Sequence, residues 1–538
     1  MFLKDIFNRV RPFLWFLPGF LLWAAFPPYG EKIDVLFALA PLIYLSRTAE
    51  SVRGCVRRWF AAGFFFWVAT LAWMPAIVKN GGPWPLVILG LVGLAAYCAA
   101  YFALYGFFGA VYWRWARERE RTWVWRFVGI LLVEPVLWCG LELVRSRFLG
   151  GFSWNQLGVV AVNGGFGSPA AVGGVYLCSA AVFLVNGSIA GIIERAVESL
   201  RAQRERRAVA ISRIRSLETL VVFAVIWGIF QIDGARTAGE TSKFVKVALI
   251  QRNFPCEFKE REENPYGVYG GLLENIGALK PDLTVFAESA ACEFGPVDQQ
   301  GAFRFAAFVT ERTGGSAVLM GGTRYEDGKT YNSAALYSAG GYQVYDKVHL
   351  VPFGEFIPGD KWFPALQRLA PVGSCTPGEP RLLKMGDMMI GVAICFEDTD
   401  SALLRKYAAM GAQMLVFITN DSWFSQSSEA VAHFWQAVAR AVETGLPVVR
   451  VGNSGVTATI SPDGRFSALS DGNGRPLVDQ RGTMLDRLSV SADEKGRRPT
   501  VYVQVGDIPL TLAFSLILLI GILVYYRQQY EKRRYLSM

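Results

Sequence analysis

The chain has 538 residues, 52% of them hydrophobic and 18% charged, with 54 Lys+Arg against 45 Asp+Glu for a net charge of +9. That apolar bias excludes a disordered chain and an ordinary soluble globule, and the 55 Gly and 25 Pro follow no collagen-like repeat. The positive excess lies outside residues 243–507, which hold 26 Lys+Arg and 30 Asp+Glu, so charge sorting around membrane spans is favoured over a basic nucleic-acid surface.

A helix needs roughly 20 apolar residues to cross the hydrocarbon core. Seven stretches before residue 235 meet or approach that length: 12–29, 33–46, 59–78, 84–113, 123–144, 170–193 and 217–233. An eighth covers 508–526. The second is short, and the fourth is long enough to tilt or to run past the interface. Alternate connecting segments carry 23 Lys and Arg, while the opposite short segments hold only Lys32, Lys79, Arg145 and Arg147. By the positive-inside rule this predicts a polytopic α-helical membrane protein of about eight spans, with both termini cytoplasmic and the polar region on the far side. The expected division is a seven-span region at 1–235, an exported domain at 243–505, a last span at 508–526 and a basic cytoplasmic tail at 527–538. The first stretch reads as a retained span, because no small-x-small cleavage site follows it; a cleaved signal peptide is the competing reading. In the fifth span, Glu134 and Glu142 are ionisable, and Arg145 stands three residues after Glu142, a spacing that lets the two meet on one helix face.

Over 243–505 the pattern changes. Short β-branched runs at 244–250, 283–287, 317–321, 333–337, 389–394 and 414–419 predict strands. Residues 301–312 and 429–444 read as helices, and Gly340-Gly341 as a hairpin turn. The alternation predicts an α/β layered domain. One run ends in Phe-Ala-Glu288, and another ends at Cys395, followed by Phe396, Glu397 and Asp398. Between them Lys347 stands eight residues before Glu355. Taken singly, such a cysteine is most often a small buried hydrophobe and such a lysine a solvated charge. Together they suit acyl transfer: a thiol nucleophile, a carboxylate to take its proton, and an ammonium to steady the developing oxyanion. A nearby cation also favours the thiolate.

The ordered Glu288, Lys347, Cys395 set resembles the carbon–nitrogen hydrolase (nitrilase) superfamily. With the spans around it, the chain is similar to the apolipoprotein N-acyltransferase family, the membrane-embedded branch. The K-x-x-L-V-P-F-G-E segment from Lys347 to Glu355 and the Asn420-Asp421-Ser422-Trp423-Phe424 segment carry that resemblance. So do Glu142-Leu-Val-Arg145 and Gly151-Phe-Ser-Trp154, similar to the family's E-x-x-R and G-F-P-W. The chain has Ser153 for that proline, Phe286-Ala287 for a frequent Trp-Pro, and Phe396 for a frequent Tyr; none of these removes a reacting group. The resemblance implies an αββα sandwich inserted among the spans. It implies Glu288 as base, Lys347 at the oxyanion and Cys395 as nucleophile, with Glu355 and Glu397 in support. The implied donor is a phospholipid, phosphatidylethanolamine first, and the implied acceptor is a diacylglyceryl apolipoprotein. The implied setting is a bacterial inner membrane with the catalytic domain periplasmic, and the chain is read as a monomer with no cofactor. Trp362, Phe363, Trp423, Phe424, Phe152 and Trp154 are candidate lipid contacts, as aromatic residues favour the interface.

Cys98, Cys139 and Cys178 lie in spans and read as packing residues, and Cys55 falls on the reducing side. Export permits one disulfide among Cys256, Cys292 and Cys375, with no pair singled out. His349 and His433 are the only histidines and no Cys-x-x-Cys occurs, which excludes a multi-His or Cys-x-x-Cys zinc site. A tethered amidase and a transporter or receptor with an external ligand domain are the alternatives. The second is disfavoured by the lack of an inverted repeat.

Overall fold

The computed structural model describes residues 16–204, 213–231, 242–254, 264–274, 276–359, 363, 374–424, 427–491 and 499–536. The chain forms two compact units: a helical one from residues 1–78, 82–233 and 507–538, and an α/β one from 79–81 and 234–506.

Among the described residues, five helices are long and apolar enough to cross a membrane, in the first unit but for the last two residues of the first of them: Val52–Asn80, Trp84–Arg117, Thr122–Arg145, Ala170–Ala202 and Ile508–Arg527. The second of these has 34 residues, about 51 Å at 1.5 Å per residue and well beyond the hydrocarbon core. It packs on its predecessor where Gly106 removes a side chain; a Cβ there would lie 2.6 Å from the Trp59 ring. A shorter apolar helix covers Leu220–Ile229.

Three stretches differ from their sequence reading. Of 12–29, the described part is a short helix, Leu17–Ala24. The stretch 33–46 is broken into a 3-10 turn, Lys32–Leu36, and a helix, Ala40–Arg47. Pro41 explains the break, since it has no N–H for the Phe37 carbonyl and its ring would clash there. Ala40 N meets the Phe37 carbonyl at 3.1 Å, and one buried side chain meets two other backbone groups at the break: Asn186 accepts from Leu39 N at 2.8 Å and donates to Val35 O at 2.8 Å. In the third, Pro135 has the same effect within Thr122–Arg145, where Gly129–Val133 opens into a π turn.

The charges of this unit are matched inside it. Arg47 binds Glu134 through Nε at 3.1 Å and Nη2 at 2.6 Å, and Trp113 Nε1 donates to the same carboxylate at 2.9 Å. Glu142 and Arg145 do not pair. Glu142 accepts from Trp138 Nε1 and from Leu157 N, both at 3.0 Å. Arg145 donates to the carbonyls of Phe152 and Trp154 at 2.7 and 2.8 Å and lies 4.8 Å from the centre of the Trp67 ring. Each serves backbone that the turn after residue 145 leaves open.

Among the described residues of the α/β unit, twelve strands make two mixed sheets. The first has the order β12-β1-β2-β3-β4-β5, with β1 Ser242–Gln251, β2 Leu283–Phe286, β3 Ala317–Glu326, β4 Lys329–Ser338 and β5 Gly341–Asp346. The second has the order β11-β10-β9-β8-β7-β6, with β6 Leu382–Met385, β7 Met388–Ile394, β8 Met414–Thr419, β9 Val448–Gly452, β10 Ala458–Ile460 and β11 Phe466–Ala468; β12 is Gly482–Ser491. In each, three parallel strands, β1–β3 or β7–β9, are flanked by antiparallel ones. Buried parallel strands read as continuous apolar runs, as in Met414–Thr419, where all six residues are buried. Helices Pro265–Leu273 and Gln300–Arg312 set Tyr269, Leu273, Phe305 and Val309 against Ile250, Phe286 and Met320 of the first sheet. On the inner face Gly321 brings the sheets together: a Cβ there would lie 2.8 Å from both Glu288 Cα and Ile418 Cδ1.

Candidate active site

The three residues singled out by sequence stand just past strand ends, where an α/β sheet presents loops. Glu288 follows β2, Lys347 follows β5 and Cys395 follows β7. Two of these turns use left-handed backbone at non-glycine positions, Ser289 with φ 65° and Cys395 with φ 53°. Such geometry is sparsely populated and held only when surroundings enforce it. At Cys395 it turns the chain from β7 straight into the 3-10 turn Cys395–Thr399.

The acidic and basic groups form one hydrogen-bonded cluster. Lys347, 1% exposed, donates to Glu355 Oε1 at 2.9 Å and lies 4.0 Å from Glu288 Oε1. Asn332, in β4, bridges the two carboxylates through one nitrogen, at 2.7 Å to Glu288 and 2.6 Å to Glu355. The other Glu355 oxygen accepts from Val351 N at 2.7 Å, which closes the loop that carries it. Within that loop Phe353 takes φ 61° and is exposed.

Glu397 is fully buried and collects four donors: Tyr345 Oη at 2.8 Å, Val348 N at 2.6 Å, His349 N at 3.0 Å and Ile394 N at 2.8 Å. It therefore ties the segment after Lys347 to the strand that ends in Cys395. Asp398 continues the tie inward. His433 Nε2 lies 2.8 Å from Asp398 Oδ1, and Nδ1 lies 3.0 Å from Asp421 Oδ1. Arg450 lies 3.4 Å from the second oxygen of each aspartate. Asp421, Glu429 and His433 offer ligand atoms within 4.8 Å of one another. Arg450 and a protonated His433 balance Asp398 and Asp421, and burial pushes the third acid, Glu429, well above its ordinary range, so the group reads as a buried ion network.

Electrostatics separates the roles. Burial pushes the Cys395 thiol well above its ordinary range; Glu288 adds to that rise and Lys347 opposes it. Burial also raises Glu288, with Lys347 pulling it down and Glu355 pushing it up. For Lys347 burial disfavours the charge, but Glu355 and Glu288 outweigh it and hold the ammonium above the usual lysine range. Lys347 thus favours the thiolate, as the sequence reading expects, but burial and Glu288 outweigh it. Burial also works against charge on His433, yet Asp398 and Asp421 bring its pKa up to about 10.

The aromatic candidates are divided. Trp423 is 43% exposed and Phe363 67% exposed, Phe424 is half-buried, and Trp362 lies outside the described residues. Trp154 is buried in the helical unit, its ring 6.3 Å from Phe152 and 5.4 Å from Trp73. Cys292 and Cys375 carry free thiols, which removes that pair as a disulfide, and Cys256 lies outside the described residues. Asn332 and the His433 cluster escaped the sequence reading: a lone amide in a strand and acids far apart in the chain give no local signal.

A glutamate, a lysine and a cysteine just past the ends of β2, β5 and β7 of two mixed sheets, in a chain whose other unit holds membrane-length helices, define a membrane-attached carbon–nitrogen hydrolase fold. Residues 18–188 match the apolipoprotein N-acyltransferase N-terminal domain, and residues 280–477 match the carbon-nitrogen hydrolase family. The apolipoprotein N-acyltransferase of Geobacter metallireducens is 31% identical over 467 residues, covering 84% of this chain and 86% of its own. That of Shewanella oneidensis is 25% identical over 552 residues, covering 98% of both chains. An amidase from Nesterenkonia sp. is similar in structure at 18% identity, covering 49% of this chain and 95% of that one, with a TM-score of 0.34. The chain belongs to the apolipoprotein N-acyltransferase family: it is a membrane-protein acyltransferase whose homology implies a lipoprotein substrate.

Proposed function

We propose that the protein moves an acyl chain from a phospholipid to the α-amine of an S-diacylglyceryl-cysteine through a thioester on Cys395. The observation that carries this reading is the Asn332-bridged Glu288–Glu355–Lys347 cluster beside a protonated buried thiol. In the first step sulfur attacks the ester carbonyl. The C–S bond forms, the C–O bond breaks, and Glu288, in its ionised form, passes the thiol proton to the departing glycerol oxygen. In the second step the amine attacks the thioester. The C–N bond forms, the C–S bond breaks, and Glu288 returns the amine proton to sulfur. Lys347 stabilises the oxyanion in both steps, Glu355 positions Lys347, and Glu397 positions the Cys395 turn. The topology proposed with it has eight spans, both termini cytoplasmic and residues 243–505 periplasmic, on the arginine and lysine asymmetry of the loops. Exposed Phe353, Phe363 and Trp423 would form the apolar entrance for lipid.

The test incubates purified protein with phosphatidylethanolamine and a diacylglyceryl-cysteine peptide, following both by mass spectrometry. Expected are a lysophospholipid, a peptide heavier by one acyl chain, and an acyl mass on Cys395 when the peptide is withheld. Ammonia release from small amides without either product would replace this reading with a tethered amidase. Unchanged lysophospholipid release in Trp423→Ala would remove that residue from the entrance.

A further inference from the structure

At the carboxyl ends of β1 and β2 the α/β unit has a narrow concavity, and Glu288 lines it. Phe254, Tyr269 and Phe286 give it apolar walls, and Arg252 and Glu293 add charge. Arg252 is 4% exposed. Its Nη2 donates to Glu293 Oε1 at 2.9 Å, and its guanidinium lies 4.8 Å from the centre of the Phe254 ring and 5.3 Å from that of Tyr269. Its Nε is buried and has no acceptor among the described residues. A guanidinium N–H without an acceptor in so dry a place is costly, and it marks a position where an oxygen is wanted.

We propose that this concavity is the acceptor subsite, taking the amine of the lipopeptide between Glu288 and Glu293, where it arrives as an ammonium and gives one proton to solvent before attack, and its first peptide carbonyl oxygen on Arg252. The inference rests on the transfer reading above and assigns one of its two substrates to a place. Two lines of reasoning carry it. The lining has two carboxylates against one guanidinium, a balance that attracts an amine and repels a phosphodiester. The carboxylate that takes the amine's proton must also lie beside the amine, and Glu288 is both the base of the cluster and a wall of the concavity. Arg252 is then a specificity-determining residue of the second half-reaction, holding the peptide so that its nitrogen faces the thioester.

The test separates the half-reactions. Wild-type, Arg252→Met and Arg252→Lys proteins are first given phosphatidylethanolamine alone, and the burst of lysophospholipid is measured. Either a diacylglyceryl-cysteine peptide or diacylglyceryl-cysteamine, which has the amine but no carbonyl, is then added. Bursts should agree within about twofold, which also reports intact folding. The KM for the peptide should rise about tenfold in Arg252→Met, the scale of one charge-assisted hydrogen bond, and partly recover in Arg252→Lys. The wild type should prefer the peptide over the cysteamine by a similar factor, and Arg252→Met should not. A diminished burst with an unchanged peptide KM would put Arg252 on the donor side and overturn the proposal. So would a wild type that shows no preference for the peptide. Absence of any burst in the wild type would instead break the transfer reading itself.

Discussion

The two sheets of the α/β unit share a strand plan but place their charges differently. In the first sheet the ionisable groups face the reacting space, with Glu288, Glu355 and Lys347 joined through Asn332. In the second, the strand end carries the Cys395 thiol, and the charges lie in the buried group of Asp398, His433, Asp421 and Arg450. On the proposed mechanism, proton handling and support of the nucleophile are divided between sheets. Carboxylates close to one another and to a lysine can exchange protons during turnover, whereas matched buried ions are costly to disturb and fix geometry.

The largest break in this division comes at the sulfur. Cys395→Ala should lower acyl transfer by on the order of 10⁴-fold or more, with thermal unfolding close to wild type, measured by lysophospholipid release and calorimetry. Next is Glu288→Gln, expected to cost about 10²- to 10⁴-fold. Its residual rate should keep rising with pH past 9, because an unaided thiol must ionise by itself and burial raises its pKa well above an ordinary thiol's 9.0. In the wild type the acid limb of kcat/KM should lie above pH 4.5, since burial raises Glu288 from that value and only its ionised form accepts a proton. Asn332→Ala should cost about tenfold by loss of positioning and move that limb to higher pH, because the Asn332 hydrogen bond lowers the Glu288 pKa.

His433→Gln sharpens the contrast from the other sheet. Activity should fall only a few-fold, but breaking a buried charge group should cost roughly 3–5 kcal/mol of stability, read by denaturant unfolding. The groups facing His433 are Asp398, Asp421, Glu429 and Arg450. Because its pKa rises from 6.5 to about 10 on folding, its stabilising contribution is complete below about 6.5 and is lost as pH rises through 10. The variant should lack that alkaline decline.

Much of this division was legible in the sequence. The runs ending at Glu288 and Cys395 are continuous and apolar because their strands are buried on both faces, and the helix at Glu429–Thr444 agrees at both ends. The three-residue strands β10 and β11 are too short for periodicity. The pairing of β12 with β1 joins residues some 240 positions apart, as in Ser242 with Ser491, and such register has no local trace. In the helical unit, hydropathy reports composition and is blind to the backbone ladder, so it read 33–46 as continuous where Pro41 breaks it. Glu142 and Arg145 had the right spacing to pair, but open backbone beside them was the stronger partner.

Asn186 has a consequence for biogenesis. It seals the gap between Lys32–Leu36 and Ala40–Arg47, yet it is translated about 140 residues later. Until the helix that contains it arrives, the Val35 carbonyl and the Leu39 amide stand open, and an open amide in hydrocarbon costs several kcal/mol. The pair Lys32–Leu36 and Ala40–Arg47 is therefore finished only after the helix Ala170–Arg204 has been synthesised, and a nascent fragment ending before residue 170 would be the stage most exposed to membrane quality control.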